Sequence, residues 1–158
     1  FFFQAEDGIR DYKVTGVSDV CSSDLDILSK FNMLEAKNLS TPMSPSTKLT
    51  KHGDPLDTSV FPYSNLVGGL MYLSICTRPD ISQAVGALAR FMANPTIAHW
   101  QAAKHVLRYL SGTSTFGIIF GRTTTGLEAY CDADHAGDID TRRSTTGYLF
   151  TLYGGAIS

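Results

Sequence analysis

Apolar residues recur at three- and four-residue intervals through the middle of this chain and at two-residue intervals towards its end. Ile27, Leu28, Phe31 and Leu34 follow Asp26, a residue suited to cap a helix, and predict a short amphipathic helix from that point. Residues 38–59 are rich in Ser, Thr, Pro, Lys and Asp, and Pro42, Pro45 and Pro55 exclude a continuous helix there. This stretch reads as a linker lying over a surface. Tyr63, Leu66, Leu70 and Leu73 then form an apolar stripe behind Pro62, which suits the start of a helix. Gly68 and Gly69 each weaken such a helix by roughly 1 kcal/mol, so a neighbouring helix is expected to cross there and offset the loss.

Thr77 and Arg78 break that helix, Pro79 opens the next, and Asp80 sits where the helix dipole favours a carboxylate. Ile81, Ala84, Val85, Leu88, Phe91 and Met92 supply its wide apolar face. A third helix is expected after a boundary at Asn94 and Pro95. It carries Trp100, Ala103, Leu107 and Leu110 to a stop at Gly112. Beyond it the period shortens, predicting strands at residues 117–120, 127–132 and 146–153. The expected fold is therefore α+β, a small three-helix module followed by an incomplete, mainly antiparallel sheet.

With 158 residues, 43% of them hydrophobic and 18% charged, the chain can form one ordinary core or two partial ones. Its apolar runs are far shorter than the ~20 residues a membrane helix needs, and no membrane partner is expected. The start, with Glu6, Asp7 and Asp11 close behind Phe1 to Phe3, lacks the layout of a secretory signal. Three widely spaced cysteines suit neither a disulfide framework nor a zinc site, and the four histidines lack ligand spacing.

The net charge of −2 conceals an uneven distribution. Arg78, Arg90, Lys104 and Arg108 face only Asp80 across residues 78–110, whereas Glu128, Asp132, Asp134, Asp138 and Asp140 crowd residues 128–140 without a Lys or Arg. Lys104 and Arg108 stand four residues apart on the polar face of the third helix, beside Gln101 and His105. By spacing alone that face reads first as solvated surface, and the acidic stretch first as an ordinary turn.

Residues 1–25, FFFQAEDGIRDYKVTGVSDVCSSDL, keep neither period and resemble translated sequencing-adapter peptides, so they are set apart as a non-native segment. The remainder resembles the Pol polyproteins of copia-type retrotransposons. The resemblance is carried by YSNLVGGLMYLSICTRPDISQAVGALARFMANPTIAHWQAAKHVLRYLSGT and then AYCDADHAGDIDTRRSTTGYLFTLYGGAIS, with a weaker block in DILSKFNMLEAKNLSTPMSPSTKL. His135 departs from the family, which usually has Trp there.

The resemblance implies four stretches: 1–25 adapter-like; 26–59 helix and linker; 60–113 a remnant of the reverse transcriptase thumb and connection; and 114–158 the first strands of a ribonuclease H domain. It implies a parent that synthesises DNA on RNA and removes RNA from RNA–DNA hybrids, inside the cell in a cytoplasmic particle or the nucleus. Asp132 matches the first ribonuclease H carboxylate, with Asp134 a less secure ligand. The complete parent enzyme would use Mg2+, held by several carboxylates on a metal pair. Lys104, Arg108, Arg142 and Arg143 become candidate contacts to nucleic acid. The chain has no adjacent Asp pair for polymerisation, no Glu after Glu128 and no Asp after Asp140. The expectation is a fragment that is itself inactive and holds no tightly bound cofactor. A non-catalytic nucleic-acid-binding module, a protein-interaction remnant and a decayed gene without function stand as alternatives.

Overall fold

The computed structural model describes residues 18–117 and 126–157. Four α-helices, α1 (Ser18–Lys30), α2 (Tyr63–Cys76), α3 (Ser82–Ala89) and α4 (Ile97–Gly112), precede an antiparallel sheet of three strands, β1 (Leu127–Ala133), β2 (Thr146–Leu152) and β3 (Gly155–Ala156). The mixture of α and β is thus as expected. The strand anticipated at 117–120 lies, apart from Gly117, outside the described residues.

One core joins all four helices. Tyr63, Leu66, Leu70 and Leu73 of α2 are buried against Ile81, Ala84, Val85 and Leu88 and against Ala103, Leu107 and Leu110 of α4. The Tyr63 hydroxyl donates to the Leu88 carbonyl at 2.8 Å, and burial pushes its phenol well above the ordinary range. α1 closes the core with Ile27 and Leu28. It crosses α2 at Gly69, where a β-carbon would come within 2.8 Å of Ile27 Cδ1. Gly68 faces open space, so the expected crossing accounts for one glycine of the pair.

Two helix starts differ from expectation. α1 begins at Ser18, not at a cap on Asp26, so Asp26 is interior to it and Leu34 lies beyond its end, 46% exposed. α4 is capped by Thr96 rather than by Asn94 and Pro95. The reason is local: His99, three residues on, turns its Nδ1 to accept the Thr96 backbone N–H at 2.8 Å. The ring is fully buried and stacks on Phe91 at 4.0 Å. Pro55 bridges to Thr96, flanked by Ile97 N–H to Asp54 O at 3.1 Å and Leu56 N–H to Pro95 O at 3.0 Å. The linker thereby builds a ledge beside the start of α4.

In the sheet, β1 and β2 pair from Leu127 with Leu152 to Ala133 with Thr146. β2 returns into β3 through Tyr153 and Gly154, both with positive φ (49° and 79°), the backbone of a two-residue primed hairpin turn. The alternation puts Leu127, Ala129, Cys131, Tyr148, Phe150 and Leu152 on one face. Tyr148 is 65% exposed, and no element among the described residues covers this face. No described helix is long and apolar enough to cross a membrane.

Candidate nucleic-acid interface and acidic strand

The amphipathic period of α4 turns Ala103, Val106, Leu107 and Leu110 into the core and leaves Lys104 half-buried and Arg108 exposed on the outer side. Residues 34–41 cross this outer side antiparallel to the helix. Ser111 Oγ donates to Leu34 O at 3.1 Å, Leu39 N–H to Arg108 O at 3.4 Å, and His105 Nε2 to Thr41 O at 3.0 Å. The crossing segment brings a further exposed cation, Lys37. Lys104 and Arg108 make no ion pair among the described residues, so both charges stay available to a ligand.

Asp132 stands on the sheet face opposite Cys131, beside Tyr130 and Glu128 and across from Gly147, as alternation predicts. It is exposed, and one oxygen accepts the Ala133 N–H at 2.8 Å. Asp134 does a different job. Its carboxylate accepts the Thr145 N–H while its own N–H donates to Thr145 O at 3.1 Å, extending the β1–β2 ladder by one more pair. Among the described residues no group of three or more His, Cys, Asp or Glu is placed to hold a metal. Asp132 and Asp134 therefore do not by themselves fit the Mg2+ pair of the complete enzyme.

Arg142 and Arg143 are exposed in the β1–β2 loop and make no ion pair among the described residues. Arg142 takes a left-handed backbone (φ 57°), its N–H donating to Asp138 O at 2.8 Å. Both belong to the loop that follows the Asp132 end of β1.

The sequence marks Arg78 as a helix break and as one cation of the basic helical part; in the structure it is the centre of a buried polar network. Arg78 is 1% exposed. Its guanidinium forks onto Asp80, with Nε to Oδ1 at 3.0 Å and Nη2 to Oδ2 at 2.9 Å. It also reaches Asp24 Oδ2 at 2.5 Å, Thr113 O at 3.1 Å and Thr113 Oγ1 at 2.6 Å. The Tyr109 hydroxyl donates to Asp80 at 2.7 Å. Burial works to raise the Asp80 carboxyl, but the hydrogen bonds from Arg78 and Tyr109 and the guanidinium charge outweigh it and hold the group below its usual range. At Asp24 the balance reverses: burial outweighs the attraction of Arg78 and raises the carboxyl. The network ties α1 and the α2–α3 turn to the end of α4, from which the chain leaves for the sheet. A cleft of about 450 Å³ opens beside it, between Arg78, Asp80 and Tyr109 on one wall and Gly154, Gly155 and Ala156 on the other.

Comparison with known proteins finds relatives along most of the chain. The retrovirus-related Pol polyprotein from transposon TNT 1-94 of Nicotiana tabacum is 50% identical over 138 residues, covering 84% of this chain and 10% of that protein. The corresponding polyprotein from transposon RE2 of Arabidopsis thaliana is 48% identical over 129 residues, 81% of this chain and 9% of its own length. The secreted RxLR effector protein 161 of Plasmopara viticola is 54% identical over 98 residues, 61% of this chain and 69% of that protein. The chain thus spans about a tenth of the polyproteins it matches. No family model and no solved structure matches it.

Proposed function

Because the chain belongs to the retrovirus-related Pol polyproteins of copia-type transposons, we propose that it is the part behind the polymerising palm, where helices hold an RNA–DNA hybrid and a hairpin opens a ribonuclease H domain. The observation that carries this reading is the pair of cations on the outer side of α4. Lys104 and Arg108 lie one helical turn apart and have no acidic partner among the described residues. Cations so placed neutralise successive phosphates and release counterions, which gives affinity without sequence preference. Arg142 and Arg143 would add phosphate contacts at the hairpin end.

Asp132 is the one residue proposed to be catalytic in the parent. Its exposure on a strand, with only a glycine opposite, leaves room for a ligand beside it. A single carboxylate does not hold a metal pair, so this chain alone binds a hybrid without cutting it. The likeness to the Plasmopara viticola effector covers a smaller share of this chain and leaves the polyprotein frame in place.

The test uses an RNA–DNA hybrid with a fluorescent RNA strand, incubated with the chain and Mg2+. The hybrid should be bound and its RNA should stay at full length. RNA shortening that disappears in Asp132→Asn would overturn the non-catalytic reading.

A further inference from the structure

Two of the five acidic residues in the stretch 128–140 lie beyond β1 and contact the linker and the end of α3. Asp138 is 15% exposed on its side chain and forms an ion pair with Arg90, Nη1 to Oδ2 at 3.4 Å. The rest of its carboxylate organises the loop: Oδ1 accepts Asp140 N–H at 2.9 Å, and Oδ2 accepts Thr141 Oγ1 at 2.7 Å. Asp140 Oδ2 in turn accepts the backbone N–H of Lys51 at 2.8 Å, a contact across 89 residues of sequence.

Both targets belong to one ledge. Arg90 caps the end of α3 and lies over the ring of Phe91, which stacks on His99. Lys51 leads into the segment that bridges to Thr96 at the start of α4. The charge of Asp140 is felt at His99, in the first turn of α4, where the helix dipole also favours a negative group. At its other end the sheet faces the helices across the cleft, with Gly155 buried and Thr77 and Pro79 on the facing side. The two carboxylate contacts are therefore what joins the β1–β2 loop to the ledge.

We propose that Asp138 and Asp140 are positioning residues, docking the β1–β2 loop on the ledge beside α4 and so fixing where the Asp132 strand stands relative to the basic side of α4. The docking stands on these contacts alone, while its use, aligning one hybrid with both features, rests on the function proposed above. Each contact is partly exposed and weak by itself, so release requires removing both carboxylates together.

Cys76 on α2 and Cys131 on β1 are free and exposed. They are natural sites for a pair of spin labels once Cys21→Ser removes the third thiol. The distance between the labels, read without nucleic acid, should form one narrow distribution. In the Asp138→Asn, Asp140→Asn chain it should broaden and shift while the helical circular dichroism stays unchanged. Should the double variant not fold, about 1 M salt on the Asp140→Asn chain supplies the second arm, since it cuts the screening length to about 3 Å, weakens the remaining Arg90–Asp138 pair and should broaden the distribution. A distribution that is broad at the outset, or that neither substitution nor salt alters, would overturn the docking whatever the chain binds.

Discussion

Arg78 grips Asp80 through two parallel hydrogen bonds, of 3.0 and 2.9 Å, although only Pro79 lies between them in sequence. The fork forces the chain to turn sharply between α2 and α3 and presents the rest of the guanidinium to Asp24 and Thr113. Removing the guanidinium strands a buried carboxylate. Arg78→Ala should therefore cost about 3–5 kcal/mol in urea unfolding. Arg78→Lys should recover little of it, since one ammonium cannot reproduce the fork. Asp24→Ala should cost much less, because Arg78 keeps Asp80 and Thr113 and loses only a partner already penalised by burial.

His99 makes stability depend on pH in a defined direction. Its Nδ1 accepts the Thr96 N–H, which requires the neutral ring, and burial lowers its pKa from 6.5 although the Asp140 charge and the Thr50 backbone oppose this. The unfolded chain then takes up a proton first as pH falls. The contribution of His99 is full above about 6.5 and is lost on acidification below it, levelling off once the folded value is passed. Thermal unfolding between pH 8 and 5 should show a shallower acid loss in His99→Gln than in the unsubstituted chain, with lower stability at pH 8 for the variant.

The adjacent glycines of α2 should respond differently. A methyl group at residue 68 meets nothing within 4 Å, so Gly68→Ala should stabilise by about 0.5–1 kcal/mol. At residue 69 the methyl meets Ile27 Cδ1, and the gain should largely vanish in Gly69→Ala. Gly69→Val, with two more carbons at the crossing, should destabilise by about 1–3 kcal/mol. Denaturant midpoints of the three variants would check the order.

The apolar stripes of α2, α3 and α4 were legible because burial repeats with the helical period, and Tyr63, Leu66, Leu70 and Leu73 are all buried as that period requires. The faces of β1 were legible by the same logic at period two. The polar core was not. Arg78 finds Asp24 and Thr113 at sequence separations of 54 and 35, which no local period records, and an arginine is ordinarily counted as surface. The Thr96 cap escaped because its partner three residues on is His99 instead of the usual Glu or Gln. Asp134 and Asp138 share their residue type with a metal ligand, and only the hydrogen bonds to Thr145 and Thr141 distinguish a turn-former from one. The candidate site was thus found by resemblance and charge spacing, whereas its supporting framework emerged from the fold.

The central claim, a hybrid held by the basic side of α4, is tested most directly by fluorescence anisotropy with a labelled RNA–DNA hybrid over a series of salt concentrations. For the unsubstituted chain the logarithm of affinity should fall linearly with the logarithm of salt. Lys104→Glu with Arg108→Glu should weaken binding and flatten that slope by about 1–2 units, the share of two phosphate contacts at roughly 0.9 each. An affinity and slope that the double reversal leaves unchanged would contradict the account.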